Sequence, residues 1–118
     1  MSKSDFPPPL LAVTTFPSDH IAREIATALI DQKLAACVNL LPGATSIYRW
    51  QDQVHADDEI IALIKTTSAV FSELKLLLND LHPYDSPELI AINIEDGLPD
   101  YLGWIVNETS ASRKPAGA

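Results

Sequence analysis

The chain has 118 residues, 47% of them hydrophobic, which suits a single domain with a real core. Its net charge of −8 argues against binding to nucleic-acid phosphates, which need clustered Lys and Arg. The single cysteine excludes an intrachain disulfide, and the sequence contains neither an apolar signal segment nor a run long enough to cross a membrane. We therefore expect a cytoplasmic protein without a membrane partner.

The first elements predicted are a strand and a helix. Residues 1–9 form a Pro-rich stretch that we expect to be a disordered leader, and the apolar run 10–16 is typical of a central strand. Ser18 or Asp19 is a candidate helix N-cap. The helix that follows carries a stripe of apolar residues at the helical period and ends near Lys33; the stripe comprises Ile21, Ala22, Ile25, Ala26 and Leu29.

A long hairpin is predicted next, with arms at 36–50 and 54–66 and a turn at 51–53. Each arm exceeds the usual strand length of about 5–6 residues. Pro42-Gly43 predicts a bulge that separates an inner part from an outer part. We expect the outer part to project with Ile47, Tyr48 and Trp50 exposed, and such a surface favours pairing with another chain.

The second half of the chain repeats the strand and helix signals. Thr67 or Ser68 is expected to cap a second helix, and a loop at 82–88 leads to a strand at 89–95 with one buried face. A short helix at 99–106 and a flexible tail at 108–118 complete the chain, so one domain spans 10–107. The second helix's apolar stripe is Val70, Phe71, Leu74, Leu77, Leu78 and Leu81, and the strand's buried face is Ile90, Ile92 and Ile94.

This order of elements, βαββαβ followed by a short helix, predicts an α+β ferredoxin-like sandwich. The fold by itself does not indicate a function. The sequence contains no Gly-x-Ser-x-Gly motif and no Gly-rich phosphate loop. An acylphosphatase-like site would need an arginine after the first strand, and residues 14–19 have none. We expect no catalytic residues.

His82 is the most suggestive single residue, because it lies at a helix C-terminus, where the dipole favours its protonated form. It is either a histidine that stabilises the helix end or a metal ligand, with Cys37, Asp85 and Glu88 as further donors. Cys37 is otherwise a small apolar strand residue. His20 and His55 are expected to be solvent-exposed bystanders.

Glu59 and Lys65 lie six residues apart on one arm of the hairpin and therefore on the same strand face. They form either two separate surface pairs or a polar pocket where subunits meet.

Several linked motifs resemble the CutA family of divalent-cation tolerance proteins, and the resemblance covers about 10–108. The motifs are Leu34-Ala35-Ala36-Cys37-Val38-Asn39, Pro42-Gly43-Ala44-Thr45-Ser46-Ile47-Tyr48-Arg49-Trp50, Glu59 with Ile64-Lys65-Thr66, His82-Pro83-Tyr84, Pro87-Glu88 and Tyr101-Leu102-x-Trp104.

The resemblance implies a PII-like homotrimer without catalytic activity or a required cofactor, linked to copper(II) and other divalent ions. It also implies clefts between subunits, lined by Cys37, Trp50, Glu59, Lys65, His82, Tyr84, Glu88, Tyr101 and Trp104. Some copper-associated members carry Cys at the position of Thr14 and His at that of Leu81, so weak binding is expected here. Gln51-Asp52-Gln53 replaces the usual glycine at the hairpin tip.

Three functional hypotheses follow. The first is a trimeric protein that binds divalent transition metals weakly, with His82 and Cys37 as ligands. The second is a PII-like signalling or small-molecule-binding module in which Glu59 and Lys65 orient a ligand in the cleft. The third is a stable trimeric scaffold for a protein partner.

Overall fold

The computed structural model describes residues 7–110. The expectations for residues 1–6 of the leader and 111–118 of the tail lie outside this part of the chain. Seven elements follow one another in the predicted order: β1 (Pro9–Phe16), α1 (Asp19–Asp31), β2 (Cys37–Trp50), β3 (Gln53–Thr67), α2 (Phe71–Leu81), β4 (Ile90–Asn93) and α3 (Pro99–Glu108).

The four strands form one antiparallel sheet in the order β2-β3-β1-β4. Helices α1 and α2 pack together on one face, where alternate residues of β1 and β3 join the helices' apolar stripes in one core. The predicted ferredoxin-like βαββαβ sandwich with an added helix is confirmed. The most deeply buried members of this core include Ala12, Phe16, Ile25, Leu29, Ala62, Ile64, Leu74 and Leu78.

Helix α1 begins as predicted. Ser18 is its N-cap, and the Ser18 hydroxyl accepts a hydrogen bond from the backbone N–H of Ile21 at 3.3 Å. Ala22, Ile25, Ala26 and Leu29 are buried, and Ile21 is partly buried. After the helix, Lys33 reverses the chain with a φ of 60°.

The predicted start of α2 is wrong. Its N-cap is Val70, without a side-chain cap, since β3 continues to Thr67 and pairs there with Pro9. The Ser68 N–H donates to the Pro8 carbonyl at 2.9 Å and is thus bound to the edge of the sheet. Leu81, placed in the buried stripe by its spacing, is 42% exposed because the helix ends there.

The long hairpin has the two parts that Pro42-Gly43 predicts. The pairing of β2 with β3 shifts register between Leu41 and Ala44, and Gly43 takes a φ of 84°, which glycine adopts readily. Beyond the pair Phe16 and Ile60, β1 no longer accompanies β3, so the outer hairpin projects as two strands. As expected, its apolar residues are exposed: Ile47, Tyr48, Trp50 and Val54.

The sheet face opposite α1 and α2 is also apolar. Strand pairing aligns Ile92, Leu11 and Lys65 in one row and Ile90, Val13 and Leu63 in the next. We call this surface the open face; it comprises Leu11, Val13, Cys37, Leu41, Ile61, Leu63, Ile90 and Ile92.

The predicted buried face of β4 is therefore corrected. Ile90 and Ile92 are 52% and 51% exposed, because their alternation points to the open face and not to the helices. The strand is also shorter than predicted, ending at Asn93. Within the run 60–64, the fully buried residues are Ala62 and Ile64, and both lie on the helix side.

Helix α3 begins with Pro99 in its first turn, as predicted, and extends to Glu108. Ile105 is fully buried, and the hydroxyl of Thr109 lies 3.3 Å from that of Thr67, which joins the end of α3 to β3. Between residues 7 and 110, no helix has the length and apolarity needed to cross a lipid bilayer.

Candidate functional site

A cleft of about 640 Å³ lies between the outer hairpin and the loop that follows α2. Alternation on the paired strands directs Ser46, Tyr48 and Trp50 of β2 and Asp57 and Glu59 of β3 to the same side. The loop 82–89 contributes the opposite wall. The cleft thus combines aromatic rings with four carboxylates, which belong to Asp57, Glu59, Asp85 and Glu88.

Glu59 is the buried member of this set, with 8% of its surface exposed. The hydroxyl of Tyr84 donates a hydrogen bond of 2.7 Å to Glu59 Oε2. Burial and then the neighbouring Glu59 raise the pKa of Tyr84 well above its usual range, so that hydroxyl remains a donor at neutral pH. Loop and hairpin are joined directly by this contact.

Tyr48 forms a second contact in the cleft. Its hydroxyl donates to the Asp57 carboxylate, and this hydrogen bond is the main reason why the pKa of Tyr48 is raised. Its ring stacks on His55, with centroids 5.4 Å apart. The expectation that His55 is solvent-exposed is therefore wrong, because it is half-buried under its cross-strand partner; His20 is exposed as predicted.

Two side chains from the helix side of the molecule fix the loop's position. The Thr14 hydroxyl donates to the Glu88 carbonyl at 2.6 Å. The His82 ring is 6% exposed, stacks on Phe16 at 5.2 Å and lies 4.8 Å from the Tyr84 ring. Both ends of the loop are therefore anchored, and its polar residues face the cleft.

Both ring nitrogens of His82 have partners. Nδ1 accepts from the Tyr84 N–H at 3.2 Å, and Nε2 lies 2.7 Å from the Thr15 carbonyl, to which it donates. We assign the neutral Nε2–H tautomer from these partners.

Cys37 lies elsewhere on the sheet. Its Sγ is 4.0 Å from Lys65 Nζ, and Lys65 also donates to the side chain of Asn39. Strand pairing places Cys37 four residues from the row that contains Thr15, which is about 13 Å along the strands. Cys37 and His82 therefore do not meet within one chain, and residues 7–110 hold no group of three His, Cys, Asp or Glu that could enclose a metal ion.

Apart from His82, which stacks on Phe16, the residues of the expected cleft fall into three groups. Trp50, Glu59, Tyr84 and Glu88 line the cleft just described. Lys65 belongs to the open-face row with Cys37, six residues from Glu59 on β3, so the two charges have separate partners. Tyr101 and Trp104 stack on each other, with centroids 5.5 Å apart, in a second hollow at α3.

Sequence reasoning did not assign Asp57 and Tyr48 to the site. Asp57 lies on the same strand face as Glu59, because side chains alternate along a strand with a period of two. The position of Tyr48 follows from the register of the hairpin, which the turn at 51–52 fixes. From the sequence, this register can be predicted only to within one residue, because the predicted turn has three residues.

The sequence profile of the CutA1 divalent ion tolerance protein family matches residues 10–108. The chain belongs to this family. A divalent-cation tolerance protein CutA from Thermus thermophilus is 48% identical over 99 residues, 84% of this chain and 96% of that protein. Protein CutA of Mus musculus is 41% identical over 100 residues, 85% of this chain but 56% of the mouse protein.

Solved CutA1 structures have the same fold. The T. thermophilus protein superposes with a TM-score of 0.85 at 46% identity and covers 86% of this chain and 99% of that one. CutA1 from Oryza sativa gives 0.87 at 36% identity, covering 90% and 97%. Relatives are named for different compartments: one from Arabidopsis thaliana is chloroplastic and one from Archaeoglobus fulgidus is periplasmic.

Proposed function

We propose that this CutA1 family member acts in divalent-cation tolerance as a homotrimer that binds copper(II) or another divalent transition metal weakly. The proposal has two parts, an assembly and a metal affinity. The observation that carries it is the open face, an apolar sheet surface on which Leu41, Ile90 and Ile92 remain exposed in the described chain. The metal part is supported by the family and by the names of its relatives.

The assembly is supported by the surface of the chain. Ile90 and Ile92 are about half exposed, and Leu41 is 43% exposed, on the same side of the sheet. Contiguous apolar surface of this kind marks interaction sites in soluble proteins. The outer hairpin adds Ile47 and Val54, which are 72% and 65% exposed on two strands that no other described strand accompanies. A second and third copy would cover both surfaces, and the number three comes from the family resemblance.

The geometry of the two candidate ligands, His82 and Cys37, favours weak metal binding over tight binding. His82 can coordinate through Nδ1 only by giving up the hydrogen bond from the Tyr84 N–H, and a part-buried donor left without a partner costs free energy. Cys37 offers a soft sulfur donor. Its hydrogen-bonding neighbours in the described chain are Lys65 and Asn39, and neither is an acidic residue or a histidine. One or two ligands per chain bind a divalent ion less firmly than a closed site.

A copper(II) titration monitored by calorimetry tests this part. His82→Ala and Cys37→Ser should each weaken binding, whereas His20→Ala, which alters an exposed histidine on α1, should leave the binding curve unchanged. Circular dichroism confirms that each variant is folded. Binding curves that coincide for wild type, His82→Ala and Cys37→Ser would eliminate both proposed ligands.

A PII-like small-molecule-binding module is the second candidate, and the buried carboxylate of Glu59 in a cleft of about 640 Å³ favours it. In this function metal effects on the cell would be indirect. A thermal-shift screen of metals beside organic ligands separates the candidates, because a specific ligand stabilises the folded state by RT ln(1 + [L]/Kd). Stabilisation by metals alone would contradict the second candidate.

Two further parts of the proposal concern chemistry and location. We propose a non-enzymatic role, because the described residues of the cleft include no Ser, Thr or Cys nucleophile hydrogen-bonded to a base, and the hydrogen bonds that join its side chains run from Tyr48 to Asp57 and from Tyr84 to Glu59. A cytoplasmic location is supported by the cysteine content, and fractionation of cells tests it against the chloroplastic and periplasmic names of relatives.

A further inference from the structure

We infer that Asp96-Gly97 is a site of spontaneous covalent modification, at which the aspartate isomerises to isoaspartate. The reaction needs only water and passes through a cyclic imide that Asp96 forms with the Gly97 nitrogen. It changes the link between β4 and α3. The inference is independent of the proposed metal and small-molecule functions.

The first observation is the place of this dipeptide in the fold. β4 ends at Asn93 and α3 begins at Pro99, so Asp96 and Gly97 belong to neither element, and both residues are exposed. Ring closure requires the peptide group between the two residues to rotate. Backbone in an exposed connection rotates at a lower cost than backbone in a strand or helix. The link is therefore a segment of the chain in which the imide can form while the protein stays folded.

The second observation is the short distance between the reacting groups. The Gly97 N–H donates a hydrogen bond to Asp96 Oδ1, and the nitrogen lies 2.8 Å from that oxygen. Because Oδ1 is bonded to Cγ, the nitrogen that attacks is held beside the carbon that it attacks. Two groups held together in this way react faster, since the entropy cost of bringing them together has already been met.

The third observation is the absence of a side chain at the attacking residue. Gly97 has no β-carbon that could obstruct the approach of Asp96 Cγ to its nitrogen. Packing also suits glycine here, because a β-carbon at this position would lie 3.1 Å from Leu102 Cδ2. Asp85-Ser86 is a comparison within the same chain, since Asp85 is also exposed in a loop but precedes a residue with a β-carbon.

The reaction balances with water alone. The Gly97 nitrogen bonds to Asp96 Cγ and loses its proton, and one carboxyl oxygen leaves as water with that proton and another from the solvent. Water then adds to either carbonyl carbon of the ring and breaks its bond to nitrogen. Opening at Cγ restores aspartate. Opening at the Asp96 main-chain carbonyl gives isoaspartate, which adds a methylene carbon to the backbone between β4 and α3 and leaves a free carboxylate beside it.

The test is ageing of the purified full chain in neutral buffer at a physiological temperature for several weeks. Proteolysis and mass spectrometry with electron-transfer fragmentation then distinguish isoaspartate from aspartate at each position. We expect isoaspartate at position 96 to accumulate in the folded protein and to exceed that at Asp85 in the same sample. A second sample, unfolded in urea, gives the rate for a chain without the folded geometry.

Asp96→Glu is the matched control. It keeps the charge, but its imide would be a six-membered ring, which closes far more slowly than the five-membered ring of aspartate, so the aged variant should contain no isomer at position 96. Circular dichroism confirms that both proteins are folded. Equal isoaspartate at Asp96 and Asp85 would overturn the inference. So would isomerisation of Asp96 in urea but not in the folded protein, because the fold or the assembly would then protect the link.

Discussion

On the helix side of the sheet, Ala12, Ala62 and Ile64 are fully buried, whereas on the open face Ile90 and Ile92 remain about half exposed. Both faces are built from apolar residues of the same strands. The difference is that α1 and α2 cover one face, while on the other α3 reaches only the end near Thr67. One face is therefore the core of the chain, and we propose that the other is the core of an assembly.

An aspartate on the open face should separate these two roles most strongly. Ile92→Asp places a charge on a surface that assembly would bury, so it should abolish the oligomer while leaving a folded monomer. Leu76→Asp is the control, because Leu76 is 74% exposed on α2 and lies outside the open face. Analytical ultracentrifugation measures both. An Ile92→Asp protein with wild-type mass would contradict the role given to the open face.

A cavity on the helix side should have the complementary effect. Leu74 is fully buried in α2, and Leu74→Ala should lower the free energy of unfolding by about 2–5 kcal/mol through lost contacts and an unfilled cavity. Urea denaturation at one fixed protein concentration gives the value, since assembly makes stability concentration-dependent. The mass of the folded protein should not change. A loss below about 1 kcal/mol would mean that this core packs less tightly than described.

The contact between loop and hairpin should have a smaller effect. Tyr84→Phe removes the hydroxyl that donates to the buried Glu59 carboxylate, which should cost about 1–3 kcal/mol. Tyr101→Phe removes a hydroxyl from an exposed tyrosine of α3 and serves as the control. Equal stability of the two variants would show that the Tyr84–Glu59 contact does not stabilise the fold.

The same hydroxyl predicts a pH dependence. Folding raises the pKa of Tyr84, so its contribution is fully present below the ordinary tyrosine value of about 10. Above that value the unfolded chain releases the proton more readily than the folded one, and the contribution falls as the pH rises. The stability difference between wild type and Tyr84→Phe should therefore shrink in alkali. A stability difference between wild type and Tyr84→Phe that grows with pH would contradict a raised pKa of Tyr84 in the folded protein.

The smallest effect is expected at the hairpin tip. Asp52 has a φ of 64°, which strains a residue with a side chain, so Asp52→Gly should raise the free energy of unfolding by about 0.5–1 kcal/mol. Gln53→Gly, one residue later inside β3, should lower it, since glycine weakens a strand. Destabilisation by Asp52→Gly would indicate that the Asp52 side chain stabilises the turn.

The seven elements and the bulge in the hairpin could be predicted from local features of the sequence. The alternation and helical spacing of apolar residues located all seven elements, and Pro42-Gly43 located the bulge, because proline and glycine restrict or relax the backbone wherever they occur. The start of α2 was missed, since nothing local shows that β3 continues to pair through Thr67.

Which apolar faces are buried within the chain could not be predicted from the same local features. The alternation at Ile90 and Ile92 shows that one side of β4 avoids water, but the same pattern serves a core within the chain and a contact between chains. For the site, the hydrogen bonds of His82 depend on residues at 15 and 84, which are brought together only by the fold.

The assembly is tested most directly by the mass of the unmodified protein in solution. Sedimentation equilibrium over nanomolar to micromolar concentrations should give three times the chain mass of 12.9 kDa at the upper end of the range. It should do so with and without added copper(II), since in the proposed assembly the open face and not a metal holds the copies together. A mass of 12.9 kDa at every concentration would contradict the account.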